Sequence, residues 1–144
     1  MKIFTIGFTK KTAEQFFSRL KRPEIVRVVD VCLNNVSQLA GFAKKEDLRY
    51  FLKEICGIEY LHLPELAPTQ KLLDAYKKKK GDWSLYASAF LELLKQRKVE
   101  ASVAQSAIDG SCLLCSEDTA EHCHRRLVAE YFQQNWKGVE VFHL

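Results

Sequence analysis

Short apolar segments alternate with longer amphipathic segments along almost the whole chain. The apolar segments are rich in β-branched and aromatic residues, as strands are, and read KIFTIGF, EIVRVVDVC, EYLHLP, SCLLC and VEVFHL. The segments between them repeat apolar residues every three or four positions, which is typical of helices. Strands that alternate with helices favour an α/β domain, because each helix carries the chain back to start a parallel strand. We therefore expect residues 1–144 to form a single α/β domain with a mainly parallel, Rossmann-like sheet of about five strands and helices on both faces.

The predicted helices carry start and stop signals. Thr12 and Gln15 have the spacing of a capping box at the start of the first helix. The second helix has one apolar face and is followed by Gly57 as a C-cap. That face comprises Leu48, Phe51, Leu52 and Ile55. Asp82 favours an N-cap before DWSLYASAFLELLKQR, the segment VEASVAQSAID predicts one further short helix, and the last helix covers about 123–135.

Composition limits the class of protein. The chain has 144 residues, is 47% hydrophobic and 28% charged, and carries a net charge of +4, which indicates a soluble globular protein rather than a disordered one. No apolar run approaches the ~20 residues that span a bilayer, and the N-terminal apolar stretch is too short for a signal peptide. We therefore expect a cytoplasmic protein without a membrane partner.

The five cysteines point to free thiols or metal ligands rather than to a disulfide framework, since their number is odd and no export signal is predicted. Cys112 and Cys115 are three residues apart in a predicted strand, so their side chains should lie on opposite faces and should not bind one metal ion. We expect Cys112 and Cys56 to be buried, unreactive thiols. Cys32 and Cys115 end strands, and Cys123 begins a helix.

Polar residues stand where the predicted strands end. Gly7 closes the first strand, Asp30 the second, and His62 and Glu65 follow from the third. Cys115 and Glu117 close the fourth. Because open parallel sheets bind ligands beyond the carboxyl ends of their strands, these residues should meet. We expect one concave rim lined by Asp30, His62, Cys115, Glu117 and His124.

The stretch LLCSEDTAEHCHRR joins the fourth strand to the last helix. The apolar stripe of that helix, continued back by one turn, predicts that His124 faces inward, Arg126 outward, and Arg125 lies at the margin. A helix N-terminus favours anions and lowers the pKa of a nearby thiol, and an arginine adds a bidentate donor. Cys115 is therefore a candidate nucleophile, Glu117 a candidate acid–base group, and Arg125 a candidate anion ligand.

Several of these segments together resemble the domain-of-unknown-function 488 family. The resemblance rests on FTIGFT, VVDVC, YLHLPEL, LLCSE…CHRRLVA and VEVFHL, in that order along the chain. It implies a compact α/β fold and a shared site of unassigned chemistry. The residues that match the family pattern are Gly7, Asp30, His62, Pro64, Glu65, Cys115, Glu117, Cys123, His124 and Arg125. Three positions depart from the family pattern: Cys32 replaces an arginine, LNNVSQL replaces the basic residues that follow it, and Phe8 replaces a histidine. The loss of positive charge at the first two weakens the expectation that the chain binds an anionic ligand shared with the family.

Three functions compete. The first is an enzyme that binds a small polar or nucleotide-like ligand at the rim, with Cys115, Glu117, His124 and Asp30 as catalytic residues and Gly7, His62, Glu65, Arg125 and Cys123 as ligand-binding residues. The second is a zinc-type module with Cys115, Cys123 and His124 as ligands and Cys32 or His62 as the fourth. The third is a nucleic-acid-binding module that uses Lys77–Lys80, which the mild net charge supports little. The sequence identifies no cofactor and no oligomeric state.

Overall fold

One five-stranded sheet forms the centre of the molecule. The computed structural model describes residues 1–33, 41–77 and 81–144. Its strands are β1 Lys2–Gly7, β2 Arg27–Asp30, β3 Glu59–His62, β4 Ser111–Cys115 and β5 Glu140–His143. They lie in the order β3-β2-β4-β1-β5, and every neighbouring pair is parallel. The predicted α/β fold class and the five predicted strands are confirmed.

Seven α-helices accompany the sheet in the described residues. They are α1 Ala13–Leu20, α2 Lys45–Phe51, α3 Gln70–Lys77, α4 Trp83–Arg97, α5 Val99–Ser102, α6 Gln105–Ile108 and α7 His124–Asn135. Short 3-10 helices occupy Gly41–Ala43 and Pro64–Leu66, and a π-helix occupies Leu52–Cys56. The chain before β4 thus forms two short helices, α5 and α6, where the sequence predicted one. Among the described residues, no helix combines the length and the apolar character needed to cross a lipid bilayer.

The predicted helix caps are present. The Thr12 side chain accepts a hydrogen bond from the Gln15 N–H, and the Gln15 side chain accepts one from the Thr12 N–H, which completes the capping box. The Asp82 carboxylate accepts from the N–H of Ser84 at the start of α4. These bonds satisfy N–H groups that have no partner within the helix.

The π-helix changes which residues of the second helical segment are buried. Leu48 and Leu52 are fully buried, as predicted, but Ile55 is 43% exposed, so its place in the apolar face is wrong. A π-turn holds more residues than an α-turn, and the residues beyond it are therefore rotated away from the α-helical face. Cys56, next in sequence, is half-buried rather than fully buried as predicted. Gly57 ends the segment in the left-handed conformation, with φ of +67°, as expected of a C-cap.

Helices cover both faces of the sheet. The face under α1 and α2 holds an apolar cluster that includes Phe4, Ile6, Phe16, Leu20, Leu48, Leu52, Cys112 and Leu114. The face under α4 and α7 holds a second cluster that includes Val29, Phe90, Leu94, Leu113, Cys115, Val128 and Phe132. The two clusters confirm the prediction of helices on both faces, and they assign alternate residues of β4 to opposite faces.

A cleft forms at the carboxyl edge between β2 and β4. The chain that follows β2 continues to α2 on one face of the sheet, whereas the chain that follows β4 continues to α7 on the other. Neighbouring strands whose connections diverge in this way leave a crevice, and open α/β sheets bind their ligands there. The LNNVSQL segment that follows β2 lies, beyond Leu33, outside the described residues.

Candidate functional site

The last residue of β4, Cys115, faces this cleft. Its side chain belongs to the cluster under α4 and α7, whereas Cys112 belongs to the cluster on the other face. The prediction that these two thiols point to opposite faces is confirmed. Cys112 is fully buried, also as predicted, and burial raises the pKa of its thiol although the charge of Arg125 opposes this.

His124, the first residue of α7, lies directly against Cys115. Its Nδ1 is 3.5 Å from the Cys115 sulfur, and its Nε2 is 2.7 Å from the carbonyl oxygen of Val31. A carbonyl oxygen can only accept, so Nε2 carries a hydrogen for Val31. Nδ1 is then the ring nitrogen left to share a proton with the sulfur, although Nε2 lies only slightly farther from the sulfur, at 3.7 Å. His124 is buried, which confirms the predicted inward orientation.

Two further thiols contact Cys115. Hydrogen bonds from Cys123 and Cys32, together with the charge of His124, hold the pKa of Cys115 well below its usual range against the opposing effect of burial. The pKa values of the two partner thiols, Cys32 and Cys123, are shifted in the opposite direction. The hydrogen bond to Cys115 and then burial raise the pKa of Cys32, and burial and then the same kind of hydrogen bond raise the pKa of Cys123. The arrangement is one thiolate that accepts hydrogen bonds from two thiols.

The pKa of His124 is shifted so that its charge complements the negative charge of Cys115. Burial by itself lowers the pKa of His124, but the charge of the Cys115 thiolate and its hydrogen bond outweigh burial, so the net shift is upward. The pair therefore favours a thiolate and an imidazolium. Buried ion pairs contribute little to folding stability, and strongly shifted groups beside a cleft are common at functional sites.

A cavity of about 310 Å³ opens beside the four residues Cys32, Cys115, Cys123 and His124. This volume is at the lower end of the range for small-molecule sites. Four rings form its wall, from Tyr76, Trp83, Tyr86 and His122. The Tyr76 and Tyr86 rings stack with centroids 4.7 Å apart, and the exposed His122 ring stacks on Trp83 at 5.0 Å. The cavity thus has a sulfur-rich floor and an aromatic wall.

Glu117 and Lys77 form an ion pair at the mouth of the cavity. The Lys77 Nζ is 2.6 Å from a carboxylate oxygen of Glu117, and both side chains are about half exposed. Burial lowers the pKa of Lys77, but the hydrogen bond and charge of Glu117 outweigh it and the net shift is upward. The pair connects the end of α3 to the loop after β4. Residues 78–80 of the basic run lie outside the described residues.

Arg125 fixes the loop between β4 and α7. It is 1% exposed, so the prediction that it lies at the margin is wrong. Its guanidinium donates to the carbonyl oxygens of Glu117 and Asp118, at 2.6 and 3.4 Å, and to the hydroxyl of Thr5 at 3.4 Å. That hydroxyl in turn contacts Nδ1 of His143 at 2.7 Å. A buried guanidinium must find acceptors for its donors, and here the loop carbonyls supply them. Arg125 does not line the cavity.

The end of β1 and the segment after it lie directly beneath the same loop. A Cβ atom at Gly7 would be 1.6 Å from the carbonyl oxygen of Glu117, so only glycine fits there. Thr9 donates to the carbonyl oxygen of Ser116 from its N–H at 3.1 Å and its hydroxyl at 2.7 Å. The buried Lys11 pairs with Asp118 at 2.9 Å. The loop that carries Glu117 is therefore supported from below along its first half.

Asp30 and His62 close their strands at the carboxyl edge but do not line the cavity. Asp30 is fully buried and accepts hydrogen bonds from the Cys32 N–H at 3.0 Å and the Tyr60 hydroxyl at 2.6 Å. Burial raises its pKa, although both bonds oppose the shift. The His62 Nε2 is 2.8 Å from the carbonyl oxygen of Cys32. Both residues thus hold the segment that carries Cys32, and the predicted single rim includes only Cys115, Glu117 and His124.

Of the two remaining predicted site residues, one lines the cavity and the other does not. Cys123, the N-cap of α7, lines the cavity. Glu65, in the 3-10 helix after β3, does not line it, and its carbonyl oxygen accepts from Arg97 at 2.8 Å.

The aromatic wall of the cavity is not predicted from the sequence. Apolar periodicity places Trp83 and Tyr86 on the buried stripe of α4, which Tyr86 does join. A helix that returns the chain begins at the carboxyl edge of a parallel sheet, and this could have identified the aromatic residues of its first turn as site residues. Cys32 is predicted as a strand-end thiol and as one alternative for the fourth zinc ligand, but not as a ligand-binding residue of the enzyme.

Among the described residues, Cys115, Cys123 and His124 form the one group with the composition and proximity of a metal site. Their sulfur and nitrogen atoms all lie within 4.8 Å of one another. Thiolates and an imidazole suit a soft divalent ion such as zinc. In this arrangement the Cys115 sulfur is hydrogen-bonded to both of the other groups.

Comparison with known proteins gives a family. No curated protein and no solved structure matches the chain. A family model described as "Domain of unknown function DUF488" matches residues 12–132, which includes the strands β2, β3 and β4, the loop after β4 and most of α7. The match confirms the resemblance seen in the sequence. The chain belongs to the DUF488 family.

Proposed function

We propose that the protein is a thiol-dependent enzyme in which Cys115 is the nucleophile toward a small polar ligand. The observation that carries this proposal is the position of the Cys115 sulfur. It lines the cavity, lies 3.5 Å from Nδ1 of His124, and has a pKa held well below the usual range by its thiol neighbours and His124. A thiolate is the reactive form of cysteine, and lowering the pKa keeps it populated at neutral pH.

His124 is the proton acceptor of the proposed pair. The carbonyl oxygen of Val31 holds Nε2 at 2.7 Å and so fixes both the ring orientation and the tautomer. Nδ1 then stores the proton that Cys115 releases and can return it to a leaving group. A nucleophile, a base within reach and a third group that orients the base together form the recurring pattern of covalent catalysis.

The lining of the cavity favours a small ligand that carries a flat ring. The wall contains the rings of Tyr76, Trp83 and His122, against which such a ring can pack. The carboxylate of Glu117 and the ammonium of Lys77 at the mouth can bind polar substituents once their mutual ion pair opens. A nucleoside-sized or smaller ligand of mixed aromatic and polar character fits this lining better than a purely apolar one.

The test measures the reactivity of each cysteine in the folded wild-type protein. Samples are treated briefly with iodoacetamide between about pH 5 and about pH 9, and the modification of each cysteine is read by mass spectrometry. We expect Cys115 to react at least about tenfold faster than Cys112 near pH 7, and faster than the half-buried Cys56. Cys112 is the matched control because it lies on the same strand and faces away from the cavity.

Two results would contradict the proposal. Equal rates for Cys115 and Cys112 would show that the sulfur is neither activated nor reachable. The second result is that Cys115, Cys123 and His124 are protected from modification until a chelator is added, and that elemental analysis finds zinc in the protein. This result would instead support the metal-binding function.

A further inference from the structure

Cys123 is a second thiol in reach of the proposed nucleophile. Its sulfur lies within 4.8 Å of the reactive atoms of both Cys115 and His124, and it hydrogen-bonds to the Cys115 sulfur. As the N-cap of α7 it makes no capping hydrogen bond with its side chain. Serine or aspartate would cap the helix better, so the cap does not require a thiol at this position, although the side chain also packs in the buried cluster under α4 and α7.

We propose that Cys123 is a catalytic thiol that resolves an oxidised Cys115, and that the substrates of the site include small hydroperoxides. The inference rests on the proposed role of Cys115 as nucleophile. It adds a reaction type, two-electron reduction of a peroxide, and it adds the residue that completes this reaction.

The reaction proceeds in two balanced steps. The Cys115 thiolate attacks the terminal oxygen of the hydroperoxide, the one that carries the hydrogen, the O–O bond breaks, and the leaving alkoxide or hydroxide takes up the proton stored on Nδ1 of His124. Cys115 is oxidised to a sulfenic acid, and the peroxide is reduced to an alcohol or water. The Cys123 sulfur, on losing its proton, then attacks the Cys115 sulfur, which forms a disulfide and releases water. An external dithiol returns the disulfide to two thiols by exchange.

Size selects the oxidant. Cys115 is 4% exposed and Cys123 is 2% exposed, and both are reached through a cavity of about 310 Å³. A protein disulfide cannot approach sulfurs buried to this degree, whereas hydrogen peroxide or a short alkyl hydroperoxide can. This confines the proposed chemistry to small electrophiles.

Cys32 is the competing partner, and its contacts favour a different role. Its sulfur also lies 3.7 Å from the carbonyl oxygen of Leu114, a second acceptor for its one S–H hydrogen, and its backbone is held by Asp30 and His62. Cys32 contacts the Cys115 sulfur, as Cys123 does, but it is not part of the group of atoms that all lie within 4.8 Å of one another. We therefore assign Cys32 to stabilising the thiolate and Cys123 to disulfide formation.

The experiment identifies the disulfide directly. Reduced full-length protein is exposed to one equivalent of hydrogen peroxide, remaining thiols are alkylated, and the chain is cleaved after glutamate. Cleavage at Glu117 and Glu121 places Cys115 and Cys123 on separate peptides, so their disulfide appears as a linked pair. A Cys112→Ser background removes the other cysteine of the Cys115 peptide.

We expect the Cys115–Cys123 linkage in the wild-type protein and in Cys32→Ser. In Cys123→Ser we expect a sulfenic acid on Cys115 that dimedone traps, and peroxide consumption with dithiothreitol at least about tenfold slower than wild type. A linkage of Cys115 to Cys32, or unchanged turnover in Cys123→Ser, would overturn the inference. Rapid iodoacetamide labelling of Cys115 without any peroxide-induced linkage would overturn the inference but leave the proposed function standing. Slow labelling together with no linkage would overturn both.

Discussion

The imidazole of His124 lies between the Cys115 sulfur and the carbonyl oxygen of Val31, 3.5 Å from the first and 2.7 Å from the second. The carbonyl oxygen belongs to the segment that leaves β2, and the sulfur belongs to the end of β4. The ring therefore bridges the two strands whose connections diverge. This position makes the charge of His124 dependent on both the sheet and the start of α7.

The first prediction concerns His124→Gln. Loss of the imidazolium removes one of the groups that lower the pKa of Cys115, so the pH profile of Cys115 alkylation should move to higher pH. Near pH 7 we expect labelling on the order of tenfold slower than in wild type, because less thiolate is present. Labelling of Cys112 in the same samples is the control. An unchanged pH profile would show that Cys123 and Cys32 alone set the acidity of Cys115.

The second prediction concerns Gly7→Ala. The new methyl group would collide with the carbonyl oxygen of Glu117 and with the Arg125 guanidinium, 1.6 and 2.9 Å away. We expect a loss of about 1–3 kcal/mol in the free energy of unfolding, measured by urea denaturation, because backbone and a buried side chain must both move. Gly41→Ala is the matched control, since an added Cβ there meets no atom within 4 Å. Equal stability of the two variants would contradict the close approach.

The third prediction concerns Arg125→Lys. The substitution keeps a positive charge but loses the planar donors that bind the carbonyl oxygens of Glu117 and Asp118. We expect a loss of about 2 kcal/mol in the free energy of unfolding, because buried acceptors lose charged hydrogen-bond donors. Arg126→Lys, on the more exposed neighbouring position that pairs with Glu130, should cost about 0.5 kcal/mol or less. A reversed order of the two losses would show that the loop does not depend on Arg125.

The fourth prediction concerns Asp30→Asn and pH. Burial raises the pKa of Asp30 in the folded protein above its usual value, so the folded state holds this proton more tightly than the unfolded state does. The contribution of Asp30 to wild-type stability must therefore fall as the pH rises from the unfolded to the folded pKa, since ionising this carboxyl costs the folded state free energy. The Asp30→Asn variant lacks this titration. Urea denaturation at about pH 4 and about pH 7 should show the stability of the variant relative to wild type increasing with pH, and a decrease would contradict the raised pKa.

The fold was largely predictable because its signals are local. The capping box at Thr12 and Gln15, the N-cap at Asp82 and the left-handed Gly57 each act within a few residues, and all three are present. The alternation of side chains along the strand SCLLC correctly predicted that Cys112 and Cys115 lie on opposite faces of the sheet. Ile55 failed because the π-turn at Leu52–Cys56 shifts the helical register, and the apolar spacing does not encode that shift.

The site was predictable only in part because its contacts are not local. The position of His124 followed from the stripe of α7, but the burial of Arg125 depends on carbonyl oxygens of a folded-back loop, which leave no pattern in the sequence. Asp30 and His62 reach the correct edge of the sheet and then bond to the segment that carries Cys32. The topology places residues at an edge, but it does not determine which of them face the cavity.

The reactivities of the two thiols of β4 report two different processes, the opening of the sheet and access to the cavity. β4 is flanked by β2 and β1, so its backbone is paired on both sides, and Cys112 lies fully buried on the face away from the cavity. A reagent reaches Cys112 only when the sheet itself opens, whereas it reaches Cys115 through the cavity. The rate at which a thiol reagent labels Cys112 therefore reports the opening of the whole domain. The rate at which it labels Cys115 reports how easily small molecules enter the cleft. A single time course on the unmodified chain can thus separate a ligand that stabilises the entire fold from one that merely occludes the entrance.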